Sequence, residues 1–531
     1  MAAAIMKLVT TLLLSTLLTS CVSNAYKVLI VFPLASGKSH GILGEAHVTR
    51  LLDAGHEVTY IAGILTKVSS PRLRQIDVTS NAALSSSGQH LDFKYLLAQK
   101  DRLSFSRDLA KLCLLVANST LMNDQVQRLM HDPKEQFDVV IVEWLFSELF
   151  VGLASVFNCP LIWSSSLEPH GKILSLIDDD PNPAYVPDIM SDILPPFTFS
   201  QRVIELWKLI KGKYIIWEIS FEAERMYELA FASAVGKRGR KLPPYQEARY
   251  NASFVLGNSH ISAGQATRLP QNYASIAGYH IQETVKPLPE DLQKIMDNAK
   301  NGVIYFSMGS MLQTKTMPDE LKTGLLNMLG GLQHTVIWKI EEIPAKIPKN
   351  VHIVTFAPQQ SILAHPNCIL FITHGGLLST TETLHYGVPI IGIPVFGDQF
   401  INVNRAVHKG FAKVVSLGYD TPVHLKAAID DMLGNPRYRK RVKELSFIYH
   451  DRLVPPGKEL VYRVEHVVKT GGAPHLRSPA LMLPLYQKMY LDLLLVVIVV
   501  LYAMSYMFEK LLNKLNTLFR KQKSLGKQKT N

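Results

Sequence analysis

The sequence predicts an α/β protein of two facing doubly wound parallel-sheet domains, followed by one membrane-spanning helix. Three observations carry that expectation. Short runs of β-branched residues alternate with helical patterns twice over, first from residue 28 and again from residue 302. The chain has 531 residues, 47% of them hydrophobic and 19% charged, enough to bury two sizeable cores. An apolar stretch at 489–508 stands near the C-terminus.

In the first half, 28–32 reads as a buried strand, 44–54 as a helix stopped by Gly55, and 57–62 as the next strand, together a βαβ unit. Residues 137–143 and 160–164 read as further strands with a helix at 148–157 between them. The second set places strands at 303–306, 335–339, 352–356, 369–373 and 389–393, and Leu425, Ile429, Met432 and Leu433 mark a later helix. Lys286-Pro287-Leu288-Pro289 interrupts the pattern, so the expected domains are 26–285 and 286–480, joined near 281–290. Ligands of such sheets sit beyond the carboxyl ends of the strands, which places a site in the cleft between them. The run 202–234 mixes Trp207, Tyr214, Trp217 and aliphatics with Lys and Glu, consistent with the lining of an apolar pocket, a membrane face or plain core.

The two ends read as targeting and anchoring segments. Lys7 precedes an apolar stretch at 8–18, and Ser23-Asn24-Ala25 supplies small residues for cleavage before Tyr26, so 1–25 is expected to be a signal peptide. Residues 489–508 are long enough to cross a hydrocarbon core, with Tyr486, Tyr490, Tyr502 and Tyr506 at interface positions. The tail 509–531 carries seven Lys and Arg against one Glu, half of the chain's net +12, so the charge does not argue for a nucleic-acid partner and none is expected. These features predict a type I single-pass protein of the endoplasmic reticulum with a lumenal body and a cytosolic tail. Lys527 and Lys529 resemble a dilysine retrieval signal. Asn118-Ser119-Thr120 and Asn251-Ala252-Ser253 are glycosylation acceptors where exposed. Cys113, Cys159 and Cys368 give no disulfide framework and are expected as core thiols; with no Cys/His cluster at ligand spacing, no metal site is expected.

The most specific stretch is 368–399, CILFITHGGLLSTTETLHYGVPIIGIPVFGDQ. A buried strand meets His374-Gly375-Gly376, a helix follows, and Gly387 and Pro389 stop it before a second strand ending in Asp398-Gln399. Such a helix points free N–H groups and a positive dipole end at whatever lies above the strand, and phosphates suit that place. The F-I-T-H-G-G, Glu382, G-V-P-I-I-G-I-P and D-Q elements at their spacings resemble the signature of the UDP-glycosyltransferases, including the membrane-anchored animal UDP-glucuronosyltransferases, with an invertebrate cast. The resemblance covers nearly the whole mature chain and is densest from 302 to 410.

The resemblance implies a GT-B-like fold with an N-terminal acceptor domain and a C-terminal UDP-sugar domain. It implies inverting transfer of a hexose or glucuronosyl group to a hydroxyl of small lipophilic acceptors, as in detoxification, with the UDP-sugar as co-substrate and neither cofactor nor metal. His40 matches the family's catalytic base, and an imidazole has the right basicity near pH 7. The position of its orienting aspartate is occupied by Glu143, a departure that shifts the dyad's geometry by one methylene. Asp138, in the same strand, would face its N-terminal end. His47 and His56 are read as helix surface and strand edge. Phe356-Ala357-Pro358-Gln359 aligns with a Trp-x-Pro-Gln element, so Phe356 would stack on uracil with a smaller face and Gln359 would bond its edge. His374, Gly375, Gly376 and Ser379 would hold phosphate, with Ser307, Gly309 and Ser310 as a second phosphate-side turn. Glu382 would take the ribose hydroxyls, Asp398 and Gln399 the transferred sugar, and Asn402 would lie near the phosphates. Two alternatives stand beside this reading: a dedicated lipid glycosyltransferase, and a silent lumenal binding protein suggested by Glu143 and Phe356. Donor sugar, acceptor and homo-oligomerisation are left open.

Overall fold

The computed structural model describes residues 25–86, 92–98, 106–310, 312 and 314–528. Residues 1–24 of the expected signal peptide and the last three residues, including Lys529, lie outside them. The chain divides into two compact units, 1–477 and 478–531.

Two parallel sheets organise the first unit. The first contains β1 (Lys27–Phe32), β2 (Glu57–Ala62), β3 (Leu73–Asp77), β4 (Val139–Glu143), β5 (Leu161–Ser165), β6 (Phe254–Gly257) and β7 (Tyr273–Ser275) in the order 3-2-1-4-5-6-7. The second contains β8 (Val303–Ser307), β9 (Thr335–Lys339), β10 (Val351–Val354), β11 (Cys368–Thr373), β12 (Ile390–Gly392) and β13 (Ala412–Val414) in the order 10-9-8-11-12-13. Buried runs such as Val28 to Val31 and Val139 to Val142 fill both faces, as strands covered by helices on each side require. In each sheet the chain winds outward from a central strand and then resumes on that strand's other side. This makes β1/β4 and β8/β11 the topological switch points, where open parallel sheets hold their ligands.

Among the helices that pack on the sheets or follow them are α1 (Lys38–Asp53), α2 (Phe199–Lys237), α3 (Leu377–Tyr386), α4 (Gln399–His408), α5 (Pro456–Lys469) and α6 (Leu491–Gln528). The helix after β1 begins at Lys38, six residues ahead of the sequence expectation, because Gly37 turns the chain at φ 82°. Glycines 41 and 44 delay that helix on propensity alone, yet a Cβ on Gly44 would lie 2.2 Å from the Tyr60 hydroxyl, so tertiary packing decides.

Two segments cross the domain boundary expected from sequence. The short helix Phe93–Ala98 buries Phe93 and Leu96 in the core of the second sheet. In the other direction, α5 buries Leu460, Val464 and Val467 in the core of the first sheet, so the assignment of 286–480 to one domain is corrected from residue 456.

His47 is fully buried and bonded to the Leu43 carbonyl rather than on the helix surface. His56 is likewise buried, 3.4 Å from Glu465 of α5, because that returning helix covers what a lone βαβ unit would leave as an edge. Cys368 is buried, Cys113 and Cys159 are partly so, and all three are free thiols. Asn251 is exposed in a loop, whereas Asn118 is half-buried inside the helix Arg107–Met122.

The second unit contains α6, whose segment Leu491–Gln522 is long and apolar enough to cross a membrane, with mean hydropathy 2.3 in its most apolar window and none of that window buried.

Candidate active site

The two switch points deliver two groups of candidate residues into the first unit's cleft. At β1/β4, α1 carries His40 in its first turn rather than in a loop, and β4 ends on Glu143. His40 Nδ1 lies 2.5 Å from Glu143 Oε1. The Ser166 hydroxyl, just past β5, donates to the same carboxylate oxygen. Glu143 is 1% exposed, so the contact is shielded from water. Its extra methylene does not loosen the dyad, since the side chain reaches His40 from the strand end. Burial lowers the His40 pKa, but the Glu143 charge and hydrogen bond, together with the Asp398 charge, outweigh it and hold the imidazole above 6.5. Asp138 lies at the opposite end of β4, accepting from the Lys27 amide at 2.7 Å.

At β8/β11, Ser307 ends β8 and accepts from the Gly309 amide at 3.3 Å, while β11 runs into His374. Gly309, at φ 82°, and Gly376 press on the His374 ring from two sides, and Cβ atoms there would lie 2.5 and 2.6 Å from ring atoms. Burial and the Lys339 charge lower the His374 pKa to about 4, so this imidazole is neutral. Gly376 is the N-cap of α3 with no side-chain cap, leaving first-turn N–H groups for an anion. Gly375, at φ 83°, lets α4 approach, because a Cβ would sit 2.2 Å from Val403 Cγ2.

The second half of the motif forms one polar cluster. Gln359 Nε2 donates to Ser379 Oγ at 3.1 Å and to Glu382 Oε2 at 2.6 Å, and Tyr305 donates to Gln359 Oε1 at 3.3 Å. Glu382 is buried and also accepts from Gln360 at 3.1 Å, with His280 Nε2 3.4 Å away. Phe356 exposes 69% of its surface, and Lys38 Nζ stands 5.7 Å above its ring. Asn402 donates to Asp398 at 2.8 Å and to the Gly375 carbonyl at 3.3 Å. Gln399 spends its Oε1 on the Val395 and Phe396 amides, at 2.9 and 3.2 Å, and so fixes the turn before α4.

The two groups face each other. The Lys38 amide, two residues before His40, donates to Ser310 Oγ at 3.0 Å, and the Asp398 charge acts on His40 itself. Sequence reasoning missed Ser166, Lys38, Lys339 and His280. Lys339 donates to the Gly309 carbonyl at 2.9 Å and braces the turn against His374. Ser166 and Lys339 stand just past or at a strand end, the one signal that could have marked them, whereas Lys38 opens α1 and His280 follows β7 by five residues, and nothing in their local pattern marks them.

A histidine–carboxylate dyad opposite a glycine-framed helix N-terminus, on two facing switch points, is the architecture of a GT-B glycosyltransferase. Among solved structures the chain is similar to the spinosyn forosaminyltransferase SpnP, with TM-score 0.54, 16% identity, 84% of this chain and 100% of that one covered. It is also similar to a UDP-glucosyltransferase from Polygonum tinctorium that glucosylates indoxyl, with TM-score 0.53, 16% identity and coverage of 84% and 99%. In sequence it is 30% identical to UDP-glucosyltransferase 2 of Dactylopius coccus over 474 residues, 89% of this chain and 90% of that protein. It is 29% identical to UDP-glucuronosyltransferase 2B15 of Rattus norvegicus over 387 residues, 72% and 70% of the two chains. Residues 31–525 match the UDP-glucoronosyl and UDP-glucosyl transferase family, and the chain belongs to it. It is therefore a glycosyltransferase that takes its sugar from a UDP-sugar.

Proposed function

We propose that the protein transfers a hexose or glucuronosyl group to a hydroxyl of small lipophilic acceptors, by a single displacement that inverts the anomeric carbon. The observation that carries this reading is the 2.5 Å contact of His40 with the buried Glu143. With its Nδ1 proton donated to Glu143, His40 has Nε2 free to take the acceptor's proton. The acceptor oxygen forms its bond to the anomeric carbon as the bond to UDP breaks. Negative charge then develops on the diphosphate, toward the α3 N-terminus, with neutral His374 as a hydrogen-bonding partner and Lys339 nearby. In this reading Asp398 takes sugar hydroxyls, Asn402, bonded to it, lies near the phosphates, and Glu382 and Gln359 take the ribose and the base edge. The scheme needs no group beyond the UDP-sugar. With α6 across the endoplasmic reticulum membrane and the basic tail in the cytosol, the first unit works in the lumen.

The test offers UDP-glucose and UDP-glucuronate separately to membranes containing the full chain with a panel of phenols, wild type beside His40→Ala. Product from one donor, abolished in His40→Ala while UDP binding persists, establishes the reaction and the sugar. UDP binding without product from either donor overturns it in favour of a silent binding protein.

A further inference from the structure

The segment 276–283, which follows β7 and leads toward the second sheet, is gripped from both half-sites. From the first sheet comes Arg50 of α1, the helix whose first turn carries His40. Its guanidinium donates to the Tyr279 carbonyl at 3.3 Å and to the Ile281 carbonyl at 3.1 Å, and pairs with Glu283 at 3.2 Å. A Cβ on Gly457 of α5 would lie 2.6 Å from Arg50 Nε, so the returning helix packs against the guanidinium. From the other side, Gln360 Oε1 accepts from the Gln282 amide at 3.2 Å, and the Tyr449 hydroxyl donates to the Ala277 carbonyl at 3.2 Å. Gly278 sits at φ 96°, where a Cβ would collide with that hydroxyl. These contacts fix the backbone on both sides of residue 280.

The His280 side chain is completely buried and is aimed at Glu382, its Nε2 3.4 Å from Glu382 Oε1. Neither ring nitrogen has a hydrogen-bond partner, and among the described residues Glu382 is the one acidic group within pairing distance of the ring. Buried polar atoms are costly to leave unpaired, so for packing alone an imidazole is a poor choice beside leucine or phenylalanine. The way Glu382 is held gives the contact its use. Gln359 Nε2 bonds Oε2 at 2.6 Å, whereas Oε1 accepts from Gln360 Nε2 at 3.1 Å and faces His280. Gln359 and Gln360 stand side by side at the start of the helix Gln359–Ala364, so His280 is the contact that approaches Glu382 from another element. A carboxylate offers about four acceptor sites, and partners on both of its oxygens set the plane in which the remaining sites point.

We propose that His280 is a positioning residue for donor recognition: with its proton on Nε2 it orients the Glu382 carboxylate, and the gripped segment keeps the ring from swinging away. The proposal rests on the reading in which Glu382 takes the ribose hydroxyls. The effect of His280 reaches the nucleotide through Glu382 alone.

The test titrates the detergent-solubilised full chain with UDP and with 2′-deoxy-UDP, which lacks one of the hydroxyls that Glu382 would take. The wild type should prefer UDP by roughly 10–100-fold, the worth of a hydrogen bond to a charged group. Glu382→Ala should abolish that preference. His280→Phe keeps a buried ring without its nitrogens and should lose most of the preference, by weakening UDP far more than 2′-deoxy-UDP. His280→Ala, free of any steric demand, should match it, and His280→Gln, which restores a side-chain N–H, should recover it. His280→Phe combined with Glu382→Ala should lose nothing beyond Glu382→Ala. If the wild type shows no preference, or Glu382→Ala keeps it, the ribose reading of Glu382 fails and this proposal falls with it. If Glu382→Ala loses the preference while His280→Phe and His280→Ala keep it, the ribose reading stands and His280 is a core ring only. Equal loss of both nucleotides in the His280 variants, with a lowered Tm, also overturns the proposal, since it assigns the ring to the packing of the segment.

Discussion

In the proposed mechanism His40 and Glu143 act as one unit, so their variants should separate by pH as well as by rate. As the proposed base, His40 works only when neutral, and activity should therefore rise with pH through its pKa, which the Glu143 charge holds above 6.5 against the pull of burial. Glu143→Gln removes that charge, so the acid limb of kcat/KM should move to lower pH while kcat falls by a factor of about 10²–10⁴. An unmoved limb would show that Glu143 does not set the imidazole. Glu143→Asp leaves a gap where Oε1 now meets His40 and Ser166, and kcat should fall with little change in the KM for the UDP-sugar. The family resemblance marked His40 and its partner position in the sequence, but not whether the longer Glu143 side chain would meet the ring. That depends on Ser166 and on the start of α1, which only the folded chain brings to the carboxylate.

At the scale of elements, the glycine turns and the crossing helix carry the consequences. Gly309→Ala places a Cβ against the His374 ring at a left-handed φ, at a cost of about 1–3 kcal/mol. Its KM for the UDP-sugar should rise and its Tm fall, and an unchanged KM would remove His374 from the donor site. Leu460 lies in α5 yet is buried against the first sheet's strands, so Leu460→Ala should cost about 2–5 kcal/mol and expose the amides of β1, β2 and β4 to hydrogen exchange. Protection lost only in the second sheet would contradict that packing. Nine strands were legible as short β-branched runs. β3, β6, β7 and β13 were not, because Leu73–Asp77 mixes Leu73 and Ile76 with Arg74, Gln75 and Asp77, and Phe254–Gly257, Tyr273–Ser275 and Ala412–Val414 have only four, three and three residues, too few to show a period. The return of α5 was illegible for another reason. Its Leu460, Val464 and Val467 form an ordinary apolar stripe, and a stripe does not name the sheet it covers.

For the whole molecule, the buried titratable groups set how stability depends on pH. Burial is the largest cause in every case. It lowers the pKa of His47, His260, His374 and His385 to about 4 and that of His170 to about 3, against 6.5 for a free imidazole. A depressed folded-state pKa means that the unfolded chain binds the proton more readily, so this stability is present above pH 6.5 and is lost as pH falls toward 4. Glu168 runs the other way. Burial raises its carboxyl from 4.5 to about 7 despite the Arg405 charge, so its contribution is present below 4.5 and is lost as pH rises through 7. Between pH 4.5 and 6.5 these five histidines, with buried His56 lowered in the same direction, outnumber the groups raised in the folded chain, Glu168, Asp398 and His40, so the unfolded chain binds the larger number of protons. Thermal unfolding of the detergent-solubilised chain should therefore show Tm rising across that window and levelling near neutrality. Glu168→Gln removes one of the opposing groups, so its Tm should climb more steeply with pH and exceed the wild type's at pH 8. A variant whose profile stays parallel to the wild type would show that the Glu168 carboxyl is solvated in the folded protein, and that the uncompensated nitrogens of Arg405 beside it are met by water rather than by a buried charge.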